Sequence, residues 1–461
     1  MIFHNIRIAL ISFFTLLIKK PSFYLFGFLL IFSLDRHHRY ECSVDPENGP
    51  FYSDVFEYYS FLPEYFLNFQ QVPEQNVSTT KRTVGMAIMY APAFFVGHAI
   101  AIETGEVDDG YSPPYHWSIR WGSIIYCLLG LFFCHKNLLL FFKEPIAAVT
   151  VLCVFFGTNL FFYTYGWGEL PHSYLFFLYS AFIYNTLKWI SGNSAPALMW
   201  MGILAGMIVL IRPSGILVIL FPILFGVTSK VKLRQRFKQI SQNPMAISIS
   251  FVLFLLPLIF QLLIWKKFVG HYIHYSYNNE RFFFNDPQIY NFLLSFRKGW
   301  LIYTPMMAFS LLGIVLSVKL FKDLFVFISM YFLVSIYILS SWWEWSYGGS
   351  LGCRALIESY AFLSFPFAVF LNWIWNLNKV RPILNSITRL GIICVFYFLI
   401  QLNLFQTWQY KYGLIHYSGM NKKTYKYIFM KTSFSRQERL YLETLFTPPN
   451  AQAMMRGERD E

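Results

Sequence analysis

Apolar stretches of bilayer length follow one another along most of the 461-residue chain, and most of its cations fall between them. A helix needs about 20 mostly apolar residues to cross the hydrocarbon core. By that measure spans fall near residues 20–35, 117–134, 146–164, 173–189, 197–211, 213–228, 246–265, 301–318, 323–341, 357–376 and 388–405. Charged residues make up 13% of the chain, against roughly 25% in soluble domains, while 56% is hydrophobic and 21% aromatic. The expected fold class is all-α: a polytopic integral membrane protein with about eleven transmembrane helices. No polar linker or tandem repeat divides it, so one membrane domain over 1–430 is followed by a short polar C-terminal tail, 431–461.

A net charge of +13 raises nucleic acid as a partner, but the distribution of the charge argues against it. Lys and Arg gather in HKNLLLFFKE (135–144), SKVKLRQRFK (229–238), KLFKD (319–323) and NKVRP (378–382), as cytoplasmic loops do. With the N-terminus inside, the acidic stretches 35–75, ETGEVDDGYSPP and GWGELPH face out. The segment VGMAIMYAPAFFVGHAIAIE (84–103) is long enough to span, yet external-type sequence lies on both sides of it. Counting it as a span would put KVKLRQRFK outside, so it is expected to lie as a juxtamembrane helix in the outer interface. The N-terminus lacks an A-x-A cleavage site and reads as an uncleaved first span behind an amphipathic interfacial segment. Six scattered cysteines include no CxxC pair, and only Cys42 and Cys353 fall on the expected outer side, which leaves room for one disulfide that nothing in the spacing demands.

The polar residues set among aromatics nearly all fall on the outer side. Asp54 and Glu57 lie in GPFYSDVFEYYSFLPEYF, beside Tyr58 and Tyr59. His98 lies in the interfacial segment, and YGWGELPHSY adds Glu169 and His172. Arg212 sits in the LIRPSG break, where Pro213 and Gly215 can turn the chain. The loop around SFRKGW adds Glu280, Arg281, Arg297 and Lys298, and WWEWSYGGSLGCRALIESY adds Trp343, Glu344, Arg354 and Glu358. A reaction between a hydroxyl or amine and a lipid-borne sugar phosphate needs both kinds of charge: a carboxylate to take a proton, and cations to neutralise the departing phosphate. Ordinary roles exist too. Interfacial Tyr and Trp anchor helices in any membrane protein, and paired loop charges are often simply solvated.

The order of these motifs resembles the GT-C superfamily of polytopic glycosyltransferases. The likeness is to the glycosyltransferase family 39 branch of protein O-mannosyltransferases and lipid A aminoarabinose transferases. More narrowly, SDVFEYYSFLPEYF, GTNLFFYTYGWGELPHSY, LIRPSG, SFRKGWLIYTP and WWEWSYGGSLGCRALIESY resemble a branch of membrane proteins common in Bacteroidetes, over residues 20 to 420. The resemblance implies an inner-membrane, multi-pass enzyme whose active site faces the periplasm. It would move a sugar from a polyprenyl-phosphate donor to a glycan, lipid or protein acceptor, with inversion. By the same resemblance Asp54 is the first-loop carboxylate that acts as base or binds acceptor, and Glu169 is the outer carboxylate after the third span. Arg212, with His172 and Arg354, meets the donor phosphate. Sugar and acceptor then fall to Tyr58, Tyr59, His98, Arg297, Lys298, Trp343 and Glu344. Two departures stand out: Glu57 replaces a common Gly, leaving open which of Asp54 and Glu57 does the chemistry, and KRTVG (81–85) replaces a Lys-Tyr-Pro or Pro-Pro stretch.

No Walker loop or Rossmann glycine fingerprint is present, so no nucleotide cofactor is expected. A divalent cation stays open, because one or two carboxylates do not specify a site. The alternative from another class is a transporter or flippase of lipid-linked glycans. It would carry ionisable residues at the bilayer midplane beside broken helices, whereas AISISFVLFLLPLIFQLLIW (246–265) carries none.

Overall fold

The computed structural model describes residues 21–37, 51, 54–67, 81–277, 279–376 and 382–459. Helix α1 (Pro21–His37) precedes two short helices, α2 (Asp54–Tyr59) and α3 (Phe61–Phe66), and the long pair α4 (Gly85–Thr104) and α5 (Pro113–Leu139). Helices α6 (Glu144–Phe156), α7 (Phe162–Tyr165), α8 (His172–Gly192) and α9 (Ala195–Ile211) come next. A 3-10 helix, Pro213–Ile219, leads to α10 (Leu220–Leu224), α11 (Lys230–Ser241) and α12 (Pro244–Val269). After a long loop come α13 (Ile289–Leu294), α14 (Trp300–Tyr303), α15 (Ala308–Leu320), α16 (Lys322–Ser340), α17 (Tyr360–Trp375) and α18 (Pro382–Lys411). Helices α19 (Lys422–Ile428), α20 (Arg436–Leu445) and α21 (Ala451–Arg456) close the chain. Among the described residues the only extended pairing is an isolated bridge, Phe282 to Trp342, so the protein is all-helical.

Among the described residues five helices are long and apolar enough to cross a membrane: α4, α5, α12, α16 and Ser386–Lys411 of α18. Six shorter apolar helices accompany them. α4 is the segment that the charge rule assigns to the interface. Its start packs on Leu210 and Ile211 in the last turn of α9, Ala93 meets Gly122, and Gly97 meets Tyr115 near the start of α5. Under the charge-derived topology all of these are outer ends. Phe95, Val96, Ile100 and Ile102 stay exposed on it.

Contacts between loops sort the chain into the two sides that the charges imply. Ser22 bonds His135 and Glu144, and Lys232 pairs with Asp323; these belong to the basic side. Asp54 pairs with Arg354, Arg212 with Glu358, and Lys298 reaches Tyr417; these belong to the acidic side. Within the bundle, a GxxxG pair lets α9 and α12 touch backbone to backbone. A Cβ on Gly202 would sit 2.1 Å from the Ser250 carbonyl oxygen, and one on Gly206 would sit 2.5 Å from that of Phe254.

Three expected spans are not single α-helices. The 146–164 span stops at Phe156, the 213–228 span opens as a 3-10 helix, and the 301–318 span breaks at Thr304. Backbone freed inside a membrane protein must find partners within the protein. At the first break Asn403 donates to the carbonyls of Phe156 (2.9 Å) and Thr158 (2.7 Å). Asn159 donates to the Leu351 carbonyl at 3.1 Å, so this break also anchors the outer loop 341–359.

The segment 431–459 packs against the 283–286 and 341–345 stretches. Ser435 and Glu438 form a reciprocal capping box at the start of α20. The Arg459 side chain is fully buried, bonds Asp286 at 2.7 Å and donates to the carbonyls of Ser341 and Trp342. The N-terminal interfacial segment, residues 1–19, and Cys42 lie outside the described residues.

Candidate functional site

α2 begins at Asp54 and places Asp54 and Glu57 on neighbouring turns, so both side chains can meet one partner. That partner is Arg82, from the stretch just before α4. Its guanidinium lies 2.7 Å from Asp54 Oδ1 and 3.3 Å from Glu57 Oε2. It also rests over the Tyr58 ring, 5.5 Å from the centroid. Arg354 approaches the other Asp54 oxygen at 3.3 Å. Asp54 is thus clasped between two arginines that come from opposite ends of the chain. Burial alone would raise its pKa, but Arg354 and Arg82 outweigh it and hold the carboxyl below its ordinary value. Glu57 goes the other way: burial raises it, and Asp54 adds to the rise against the pull of Arg82.

A second buried group adjoins the first. Arg212 Nη1 sits 2.6 Å from Glu358 Oε1, and His172 Nδ1 sits 3.4 Å from Glu358 Oε2. The far ring nitrogen of His172 is buried and has no hydrogen-bond partner. Thr83, next to Arg82, donates to the Leu210 carbonyl at 2.6 Å, which joins the two groups through the backbone. Tyr58 lies within electrostatic reach of both Arg82 and Arg212, and Arg354 of His172. The structure therefore brings together Asp54, Glu57, Arg212, His172 and Arg354, with Glu358 as the fixed anion behind Arg212.

Other predicted site residues lie elsewhere. Glu169 is buried beside His116 (3.2 Å) and Arg120 (3.4 Å), both from the first turns of α5. Burial would raise its pKa; the His116 hydrogen bond and Arg120 hold it low. His98 bonds the Tyr115 hydroxyl at 2.5 Å. It lies thirteen residues beyond the first residue of α4, so about 20 Å along the helix from the Arg82 end. Tyr59 is fully buried, stacks on Phe51 at 3.8 Å and donates to the Gly110 carbonyl, which makes it core rather than a sugar platform. Trp343 packs with Trp345, Met454 and Phe283 beneath the C-terminal segment, so it too offers no open face. Arg297 and Lys298 are buried. The Lys298 ammonium is held by the carbonyls of Ser350 and Tyr417, and burial, with Arg354 nearby, drives it well below the ordinary lysine value. It staples three segments together. Glu344 stands half-buried in the same loop, within electrostatic reach of Arg354 and Asp54.

Arg82 is the residue that the sequence-based assignment missed, and the signal for it was present. Glu57 and KRTVG are both departures from the pattern the sequence resembles, and in space they form one ion pair. His116 and Arg120 stand one helical turn apart at the outer start of a span, where ionisable side chains want a partner. Among the described residues no group of three or more His, Cys, Asp or Glu side chains is arranged to hold a metal ion.

No protein-family model matches the sequence, and no curated protein matches it. Among solved structures the chain is similar to the apo-form crystal structure of the Archaeoglobus fulgidus oligosaccharyltransferase, at 11% identity and a TM-score of 0.49. The similarity covers 94% of this chain and 60% of that one, so the chain spans less than two thirds of that protein's length.

Proposed function

We propose that this protein is an inner-membrane glycosyltransferase of GT-C type, with eleven spans and a periplasm-facing site. It transfers a sugar from a polyprenyl-phosphate carrier to a glycan, lipid or protein acceptor, with inversion. The observation that carries the proposal is the clasp of Asp54 by Arg82 and Arg354, beside the Arg212–Glu358–His172 group on the outer face. In this arrangement the carboxylate occupies ground that a phosphate would take. When the carrier phosphate draws the guanidiniums to itself, Asp54 loses its partners and its basicity rises. It then accepts the proton of the attacking hydroxyl or amine. The anomeric carbon–oxygen bond breaks, and the electron pair leaves on the phosphate, which Arg354, Arg82 and Arg212 neutralise. Glu57, already raised by its surroundings, is the second carboxyl able to take that proton.

The test is transfer from a radiolabelled polyprenyl-phosphate sugar in membrane fractions. Removing the general base costs about 10²- to 10⁴-fold, so Asp54→Asn or Glu57→Gln loses transfer according to which one is the base. Wild-type transfer in both variants overturns the mechanism.

A second function, movement of lipid-linked glycans without chemistry, would use broken helices to line a path. No ionisable residue lies in the 157–161 break, and Asn403 and Asn159 close its backbone, which suits anchoring better than a path. Bidirectional movement of a labelled carrier in proteoliposomes without sugar transfer would decide for the flippase.

A further inference from the structure

At the basic end of the bundle charge is unbalanced. The loops 135–144, 229–243 and 319–323 carry nine Lys and Arg against two acids. Both acids are engaged: Glu144 accepts from the Ser22 amide at 3.0 Å, and Asp323 pairs with Lys232 at 3.1 Å. Five of the nine cations lie on α11, whose inner face is keyed to the bundle. Arg236 is buried, donates to the Phe225 carbonyl at 2.8 Å and lies over the Trp189 ring, 5.7 Å from its centroid. Gln239 donates to the carbonyls of Trp189 and Ile190 at 3.2 and 3.3 Å. With that face fixed, Lys230, Arg234 and Lys238 form an exposed stripe at i, i+4 and i+8, about 12 Å long. None of the three has an ion-pair partner among the described residues. Like charges four residues apart weaken a helix, a cost that an anion in front of the stripe removes. Phe237 and Val231 flank the stripe, about 20° to either side, and both are exposed. Shortly after it α12 begins at Pro244 and turns Met245, Phe251, Val252 and Leu256 outward.

We propose that α11 is a docking surface for the anionic phospholipid headgroups of the leaflet at this end of the bundle. The inference is independent of the reaction proposed above. Lipid phosphates supply the counter-charge that the chain itself lacks here. The level fits as well: α12 is long and apolar enough to span a membrane, and its outward apolar side chains start at Met245, so the bilayer edge falls within about two turns of Lys238. Phe237 and Val231 separate this partner from nucleic acid, which would leave both side chains in water, whereas a headgroup layer takes cations and apolar side chains together. Because Arg236 and Gln239 tie α11 to the ends of α8 and α10, lipid held at the stripe braces the spans that α11 joins.

The test uses the full chain in neutral detergent, titrated with dioctanoyl phosphatidylglycerol or dioctanoyl phosphatidylcholine and read by native mass spectrometry. Wild type should bind the anionic lipid about tenfold or more tightly than the zwitterionic one. Each cation at a lipid surface is worth about fivefold, so Lys230→Gln/Arg234→Gln/Lys238→Gln should lose that preference. Lys230→Arg/Lys238→Arg should keep it. So should Lys422→Gln/Lys423→Gln/Lys426→Gln, which removes exposed cations from α19, the helix that packs on Phe296 at the acidic side. Without lipid the triple α11 variant should melt no lower than wild type, because it loses like-charged neighbours; if it unfolds, Arg234→Gln alone, weaker by about fivefold, carries the test. An α11 variant that keeps the preference, or an α19 variant that loses it equally, overturns the proposal. A single-stranded oligonucleotide that binds wild type but not the α11 variant, while neither lipid is preferred, overturns it too and assigns the stripe to nucleic acid.

Discussion

Replacing Asp54 with Asn should tighten carrier binding whichever of Asp54 and Glu57 is the base, and should abolish transfer if Asp54 is. The carboxylate is 26% exposed, and its two arginines are 21% and 13% exposed, so these charges act in partly dry surroundings. At an effective dielectric near 20, unit charges 2.7 and 3.3 Å apart attract by about 6 and 5 kcal/mol before desolvation. Most of that is offset by what the ions lose in leaving water. What survives for a hydrogen bond between charged groups is about 1.5–3 kcal/mol. An incoming phosphate must displace at least one such bond to reach the guanidiniums. In Asp54→Asn that competition disappears while Arg82 and Arg354 remain, so polyprenyl phosphate should bind about tenfold to a hundredfold more tightly. Titration calorimetry in detergent reads the affinity directly, and low salt sharpens the contrast. Unchanged or weaker binding in Asp54→Asn would refute the idea that the carboxylate and the phosphate share one pair of arginines.

Glu358→Ala leaves the half-buried Arg212 without its carboxylate, which should cost about 1.5–3 kcal/mol in denaturant unfolding, the worth of a hydrogen bond between charged groups. A loss under about 1 kcal/mol would show that the pair is solvated. The two first-loop carboxyls should respond to pH in opposite directions. Asp54, held low in the fold, stabilises above its ordinary value, and that contribution is lost as pH falls through its folded value. Glu57, held high, favours the folded state below its ordinary value, and that preference is lost as pH rises through its folded one. Thermal unfolding against pH should therefore lose part of its acid limb in Asp54→Asn, and in Glu57→Gln part of the fall in stability as pH rises past the ordinary glutamate value; matching curves would count against both shifts. Arg459→Ala should free α21 from the 341–345 loop and open residues 446–450 to limited proteolysis, while wild-type protection there would contradict the clamp.

The charge asymmetry of the loops yields two groups, and the loop contacts pair members within each group, Lys232 with Asp323 and Asp54 with Arg354. Helix continuity was less legible. The 146–164 run carries no charge, and its Gly157-Thr158-Asn159 step becomes a break only because Asn403, nearly 250 residues away, donates to the freed carbonyls. The individual site residues divide the same way. Asp54, Arg212 and Arg354 stand out as charges among aromatics, and the fold brings them to one place. Tyr59 and Trp343 carry the same aromatic signal but spend it on packing, since a ring in a loop looks alike in sequence whether it faces a sugar or Met454. Arg82 was hidden because its importance is relational, and only its distance from Glu57 reveals it.

Glu169 belongs to a separate set, and its surroundings argue for a role unlike that of Asp54. The carboxylate is 4% exposed, bracketed by His116 and Arg120, while the Tyr90 hydroxyl donates to its backbone carbonyl. These contacts tie α4, α5 and the entry to α8 together at the outer end of the bundle. A ligand could reach the carboxylate only by displacing those side chains. Glu169→Gln keeps the shape but loses the ionic part of two hydrogen bonds, so unfolding should become easier by about 1.5–3 kcal/mol. Transfer by the protein that remains folded should stay within about tenfold of wild type, since a positioning effect of that size is under 1.4 kcal/mol. A variant that unfolds like wild type but transfers as poorly as Asp54→Asn would mean the opposite: Glu169 touches substrate, and the bracket opens during turnover.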